Sequence, residues 1–445
     1  MSDATAGDEA ESEIESPRLR RLLNEVRNEA GVDGGAALDH FWRELADAGA
    51  PLVEPVPDAP GERLVTVVWR EDRPVAGVYV LANRVTDKHL ARRGMMRRLG
   101  GTGLWHVSLR LPRGLRCSYR IHPFGPDDPR LGEDGPRSGS ARGLPDDRMD
   151  PFNHQATGPF GSMIELDGAP SLADWLNPPA PAGRTDAFDF PAADGTVHRL
   201  RCFVPATDDP DAELGLLVLF DGEKWFDRYG VTRAITAATA AGRIPPMAVL
   251  GVEASADPAE RMRQLGADPR FVDTLADEIL PAVAARLPGL TRPRHTVLCG
   301  QSLGGLTALA AALWRPDAFG TVLAHSASTW WRPGMTARPG ATAPGADSWL
   351  YEQAAAAPVG DVAIRVDVGR NEGSMVDDLR KLHTLLVSRG FDAALDVYSG
   401  GHDFCCWAAA LMDGLTGTAV PRWRRRGTVR HGVSRRTGLP RRQPT

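Results

Sequence analysis

The sequence predicts an α/β domain with a mainly parallel sheet flanked by helices, preceded by a small β-sandwich. Three observations carry this reading. Past residue 183, short apolar runs (LGLLVLF, PMAVLGVEA, RHTVLCG, TVLAHSAS, AIRVDVG, AALDVYSG) alternate with helix-like segments such as VTRAITAATAAG and MVDDLRKLHTLLVSRG, the pattern of strands buried on both faces. Between residues 37 and 122, short β-rich runs are separated by Gly, Pro and Asp, as in a sandwich. One apolar run, TVLC, ends in Gly300-Gln301-Ser302-Leu303-Gly304 and opens into an alanine-rich helix.

The elements follow in chain order. Residues 1–36 read as an acidic disordered tail. In 37–122, LDHFWRELADAG is a helix with Phe41, Leu45 and Ala48 at helical spacing, followed by strands in RLVTVVWRE, VAGVYVLAN, GLWHVSLRLP and RCSYRIHP. Residues 123–183 are a Pro/Gly-rich connector, ordered in patches such as DPFNH. Residues 184–420 form the α/β domain, opening with a hairpin that turns at Asp194-Gly195. Residues 421–445 carry nine arginines and no acid; lacking an amphipathic period, they read as a disordered solvated extension, with no nucleic acid expected.

Composition narrows the function classes. A chain of 445 residues exceeds what one hydrophobic core fills, which implies two domains. With 42% apolar and 24% charged residues and no long apolar stretch, a membrane-spanning role is not expected. The start, MSDATAGDEAESEIES, has neither a basic nor an apolar signal region, and the five scattered cysteines read as reduced thiols, so a cytoplasmic location is expected. No Cys/His cluster has zinc spacing; no metal and no cofactor are expected.

The chemistry centres on Ser302. Strand, Gly-x-Ser-x-Gly and helix in that order describe a sharp turn that lifts a serine hydroxyl to the top of a sheet, with glycines where side chains would collide. A serine hydroxyl needs a base oriented by an acid, and in α/β-hydrolases the order is serine, acid, histidine. Of the four histidines after Ser302, His325 comes too early, His383 lies on a helix and His431 in the basic tail. His402, in the loop Gly400-Gly401-His402-Asp403 after the strand LDVY, is where the base belongs. The acid is assigned to Glu372, after IRVDVG, with Asp377, Asp378 and Asp403 as competitors; Asp367 lies within the strand. The oxyanion donors expected are the N–H of Leu303 and one from the segment Asp221-Gly222-Glu223.

The segments LFDGEKW, AGRIPPMAVLGVE, GQSLGGL, HSASTWW, VGRNEG and GGHDFCCW, with HFWRELADAGAPLVEP and DPFNH upstream, resemble the enterochelin (enterobactin) esterase family over about residues 38–415. The resemblance implies an α/β-hydrolase domain whose Ser302, His402 and Glu372 hydrolyse the ester bonds of a trilactone siderophore after import, releasing iron, and an N-terminal sandwich covering one side of the cleft. The small-molecule partner would be a ferric siderophore, with iron entering only as part of that substrate. A ferric tris-catecholate is aromatic and polyanionic, so cations and aromatic faces near the catalytic loops are candidate substrate-binding residues: Lys224, Trp225, Trp330, Trp331 and Trp407. Adjacent Trp330 and Trp331 cannot both point inward on a strand, so one should face the cleft. Arg92, Arg93, Arg97 and Arg98 form a solvated face, or an anion-binding one if the domains pack together. On this reading, removing residues 1–180 abolishes trilactone hydrolysis and spares some activity on p-nitrophenyl acetate. The alternatives are a general carboxylesterase or acyltransferase on the same scaffold, or a non-catalytic binding protein.

Overall fold

A computed structural model describes residues 14–28, 35–128, 131–132, 135–136, 147–206, 213–287, 290, 293–335 and 347–419. The N-terminal domain is a sandwich of two antiparallel sheets. One has the order β1-β2-β5-β4, formed by Leu52–Pro55, Glu62–Arg70, Leu104–Pro112 and Arg97–Arg98. The other is β3-β6-β9, formed by Gly77–Ala82, Arg116–Phe124 and Met163–Glu165; a small hairpin, β7 and β8 (Leu131–Gly132 and Gly135–Pro136), intervenes in the chain. The inward sides meet in one core, with Val65, Val67, Trp105 and Val107 from the first sheet and Val78, Val80, Cys117, Tyr119 and Ile121 from the second.

Two expectations are corrected here. The part of 1–36 that is described is not a loose tail: Pro17–Asn28 is a helix that buries Leu19, Leu22 and Leu23. Spaced three and four apart, these leucines form one stripe, and with Phe41, Trp42 and Leu45 of the helix Gly35–Ala48 they cover Val68, Leu99 and Leu104 on the outer face of the first sheet. The span 123–183 is not merely a connector either, because β9 supplies the third strand of the second sheet. Within DPFNH, Asp150 accepts from Tyr119 Oη at 2.6 Å, Asn153 bonds Ala50 O and Met163 O, and Phe152 stacks on Trp42. Those residues tie the segment to the sandwich. The basic tail lies outside the described residues.

The C-terminal domain is an eight-stranded sheet in the order β10-β11-β13-β12-β14-β15-β16-β17. The hairpin β10 (Gly183–Pro191) and β11 (Val197–Pro205) is antiparallel and pairs antiparallel to β13 (Met247–Val252). From β13 onward, β12 (Gly215–Phe220), β14 (Thr296–Gln301), β15 (Thr321–His325), β16 (Ala363–Gly369) and β17 (Asp392–Tyr398) run parallel. Every residue of β12, β13 and β14 is buried, which is why these strands read as unbroken apolar runs. A core lies on each side of the sheet, and the loops at the carboxyl ends of the parallel strands converge on Ser302.

Candidate active site

β14 delivers the serine. Ser302 has φ +58° and ψ −117°, a conformation that costs an L-residue on the order of 1–3 kcal/mol and persists only where the surroundings impose it. They do so here: Ser302 N donates to His325 O at 2.9 Å and Ser328 N donates to Ser302 O at 3.1 Å. A Cβ on Gly300 would lie 2.2 Å from Gly304 O, so the turn closes only with glycine at that position. The hydroxyl, Ser302 Oγ, lies 3.4 Å from Ser328 Oγ.

His402 and Glu372 meet across two loops. His402 Nδ1 is 2.6 Å from Glu372 Oε2. The other carboxylate oxygen, Oε1, accepts from Ser326 Oγ at 2.5 Å and from Gly369 N at 2.9 Å. Burial works against the Glu372 charge, but the bonds from His402, Ser326 and Gly369 outweigh it and hold the carboxyl below its ordinary range. Trp407 packs edge-on to the imidazole at 4.8 Å and donates Nε1–H to Ser326 Oγ at 2.9 Å. The competing acids face elsewhere. Asp377 is solvent-exposed beside Arg380, Asp378 accepts from Thr329 Oγ1 at 2.8 Å, and Asp403 accepts from Ser118. His325 is fully buried, and Asp367 is taken by Arg365 at 2.9 Å.

The expected oxyanion donors flank the same point. Leu303 opens the helix Leu303–Trp314, so its N–H has no partner within that helix. Gly222 and Glu223 follow β12, and Gly222 lies against Gly251 so closely that a Cβ would come within 2.6 Å of its backbone. Asp221, at φ +54° and buried, joins the two segments: it accepts from Gln301 Nε2 at 2.8 Å, from Arg261 at 2.8 and 2.7 Å and from Lys224 Nζ at 2.6 Å. Burial opposes its charge, yet the Arg261 and Lys224 contacts keep its carboxyl below the ordinary range.

The expected substrate-binding residues fare less well. Trp225 is fully buried against Trp175 and Phe404, with Nε1–H donating to Gln301 Oε1 at 3.3 Å. Trp331 is buried against Trp349, and Trp407 serves the Glu372–His402 pair from within the core. The chain at 329–334 is a turn rather than a strand, so the alternation argument does not apply; Trp330 is partly buried and packs on the main core. Lys224 keeps some exposure, but its ammonium is held by Asp221. Ser326, Ser328 and Tyr398 are among the residues that sequence reasoning missed, and Asp221 was named only as part of the oxyanion segment, not as the acceptor that joins Gln301, Arg261 and Lys224. The nearest signal was the polar stretch HSAS directly after an apolar strand.

Profile comparison matches residues 64–175 to the N-terminal domain of enterochelin esterase and residues 197–418 to an esterase domain. The iron(III) salmochelin esterase of Escherichia coli O6:H1 is 38% identical over 88% of this chain and 96% of its own length. The iron(III) enterobactin esterase of Dickeya dadantii is 30% identical over 85% of this chain and 92% of its own. Among solved structures, the ferric enterobactin esterase of Salmonella typhimurium superposes with a TM-score of 0.74 at 27% identity, covering 87% of this chain and 99% of that one. The Shigella flexneri enterobactin esterase crystallised in the presence of enterobactin gives 0.70 at 26% identity, over 89% and 99%. Sharing both domains with these esterases in the same order, the chain belongs to the enterochelin esterase family.

Proposed function

We propose that this protein hydrolyses the ester bonds of a ferric catecholate trilactone siderophore, with Ser302 as nucleophile, His402 as general base and Glu372 as the acid that orients it. The observation that carries the catalytic assignment is the 2.6 Å contact between His402 Nδ1 and Glu372 on loops beside the Ser302 turn. With its Nδ1–H held in a hydrogen bond to the Glu372 carboxylate, the neutral imidazole presents a free Nε2 lone pair. For attack, Ser302 Oγ exchanges Ser328 for His402 Nε2 as its partner and passes its proton there as it bonds to the ester carbonyl carbon. The resulting oxyanion is received by the N–H of Leu303 and one from the Gly222-Glu223 segment. Collapse expels the alkoxide, which takes the proton back from His402. Water, deprotonated by the same imidazole, then releases the acid and restores Ser302. Repetition opens the ring and shortens it to dimer and monomer.

The similarity to esterases named for enterobactin and salmochelin supports the substrate class. Iron enters as part of the substrate, bound by catechol oxygens; among the described residues no cluster of His, Cys, Asp or Glu is arranged to hold a metal. The five cysteines are free and buried, and among the described residues no helix is long and apolar enough to cross a membrane. The free cysteines fit a cytoplasmic enzyme that acts after uptake. Incubation with the ferric and iron-free trilactone, followed by mass analysis, should yield linear trimer, dimer and monomer. Ser302→Ala should lower kcat by roughly 10³- to 10⁶-fold. No ester cleavage by the native chain, or native turnover by the variant, would overturn the assignment.

A further inference from the structure

The loop that carries His402 is anchored from both domains. It contains consecutive glycines, Gly400 and Gly401, the residues with the most backbone freedom to lose on ordering. From within the α/β domain it receives Asn371 N–H on Gly400 O at 3.1 Å, the Tyr398 hydroxyl on Gly401 O at 3.0 Å and the Glu372 contact at the imidazole. The helix that follows adds Cys406 N and Trp407 N on Asp403 O, each at 3.0 Å, and the Trp407 ring against the imidazole; further constraints come from the sandwich domain, about three hundred residues earlier in the chain. Asn83 Nδ2 donates to the carbonyl of His402 itself at 3.0 Å. Ser118 donates both N–H and Oγ–H to Asp403 Oδ2, each at 2.7 Å. Arg116 N donates to Ser399 O at 3.2 Å, and Cys406 Sγ–H donates to Arg116 O at 3.3 Å. Over Gly401 stand Arg84 and Asn83, so close that a Cβ on that glycine would lie 2.6 Å from Arg84 Cβ and 2.7 Å from Asn83 Oδ1.

We propose that the N-terminal domain is part of the seat of the catalytic base, with Asn83 and Ser118 as positioning residues, so that hydrolysis of any ester, large or small, depends on it. This rests on the assignment of His402 as base. The two residues act as one unit: Asn83 N donates to Ser118 O at 3.1 Å, joining the end of β3 to β6. They grip the chain directly after the imidazole's attachment point, at the His402 carbonyl and the Asp403 side chain. Asp403 also caps the helix Phe404–Gly414, which bears Trp407. A shift of that cap therefore moves the ring that packs on His402 as well as the loop. On this proposal a chain without residues 1–180 loses activity on a small ester as well, because it loses every donor that the sandwich sends to residues 399–406.

The test uses the full chain with Asn83→Ala, Ser118→Ala, the double variant and Ser118→Thr, assayed on p-nitrophenyl acetate and on a ferric catecholate trilactone. Displacing a catalytic group by about 1 Å costs up to ~100-fold in rate. The double variant is therefore expected to lose roughly 10- to 100-fold in kcat on both substrates alike. Its KM for p-nitrophenyl acetate should stay within about twofold, the mark of a defect in chemistry rather than binding. Labelling of Ser302 by a fluorophosphonate should slow in the same proportion, and Ser118→Thr, which keeps the hydroxyl, should recover most of the Ser118→Ala loss. Unchanged kcat on p-nitrophenyl acetate with only the trilactone KM raised would overturn the proposal and leave the domain a recognition role alone. So would a rate loss that merely follows the folded fraction in thermal melts and is not recovered by threonine. Ser302→Ala run alongside separates the two ideas: if it keeps turnover, the site assignment fails; if it is dead while the double variant is fully active, only the positioning role fails.

Discussion

Replacing Glu372 by glutamine keeps the shape of the side chain and changes one hydrogen-bonding group, and the structure dictates which end carries the change. The native carboxylate accepts three donors: Ser326 Oγ and Gly369 N at Oε1, and His402 at Oε2. A glutamine offers one carbonyl oxygen and one NH₂. Ser326 can turn its hydroxyl, since Trp407 Nε1 already donates to it and Tyr398 Oη is 3.3 Å away. Gly369 N–H cannot turn, and at 2.9 Å it requires an acceptor. The carbonyl therefore stays at the Oε1 position and the NH₂ faces His402 Nδ1, which must become the acceptor. The imidazole proton then sits on Nε2, where the base should be free. Such a tautomer reversal costs roughly 10⁴-fold in kcat in serine hydrolases with this arrangement, or about 5.5 kcal/mol of transition-state stabilisation. Steady-state hydrolysis of p-nitrophenyl acetate and of the trilactone at pH 7–8 should show that loss in kcat for both, with KM little changed. Asp378→Asn, whose carboxylate partner is Thr329, should stay within about threefold of native, as expected where a contact lies outside the reacting group. Glu372→Gln with kcat within tenfold of native would refute the tautomer argument and remove Glu372 from the relay.

Two further outcomes are expected. A methyl group at Gly222 has only backbone of Gly251 and Val252 to press on, at 2.6 to 2.9 Å. Gly222→Ala should therefore move the loop proposed to supply the second oxyanion donor, costing about 1–3 kcal/mol of stability by overpacking and lowering kcat more than it raises KM; an unfolding midpoint and kcat both equal to native would count against it. His106 in β5 is buried beside Arg97, and burial first, then that cation, push its pKa down from 6.5 to about 4. Because the native pKa is the lower one, the unfolded chain takes up the proton first as pH falls. The neutral imidazole thus favours folding fully above about pH 6.5, and that advantage is lost toward pH 4, amounting to about 2 kcal/mol by pH 5. Denaturant unfolding of native protein and His106→Gln at pH 7.5 and pH 5 should show a smaller pH effect in the variant by about that amount; identical pH dependence in the two would contradict it.

The parts of this protein that were legible in its sequence are those set by local sterics and by burial on both sides of a strand. β12, β13 and β14 read as apolar runs because no residue in them meets solvent, and Ser302 stands out because the turn excludes a side chain at Gly300. The helix Pro17–Asn28 was missed for the opposite reason. Its leucine stripe is embedded in PRLRRLLNEVRN and acquires meaning only from the face of the first sheet that it covers. β9 spans three residues, too short for an alternation to register. The tryptophans show the limit most clearly, since position after a strand says nothing about direction. Trp225 and Trp407 both lie near catalytic loops in sequence, yet each turns its ring into the core and spends its N–H on a residue beside the site, Gln301 and Ser326.

The same division runs through the site itself. Ser302, Glu372 and His402 each follow a parallel strand, β14, β16 and β17, so chain order and loop position suffice to nominate them. What orients them has no such order: Ser326 comes from the end of β15, Trp407 from the helix after the base, and Asn83 and Ser118 from another domain, 319 and 285 residues from their partners. Small polar residues in short turns carry no periodicity, and their role exists only once two sheets have met. It follows that a chain with the same three motifs but a different N-terminal sheet would keep the nucleophile, acid and base and lose the donors that seat the base. Grafting this α/β domain under a foreign sandwich that retains an asparagine at the Asn83 place and a serine at the Ser118 place should preserve p-nitrophenyl acetate turnover, whereas a graft lacking both should not. If the two grafts differ in this way, conserving the motifs is not sufficient to conserve the activity, because the His402 loop takes hydrogen bonds from both domains.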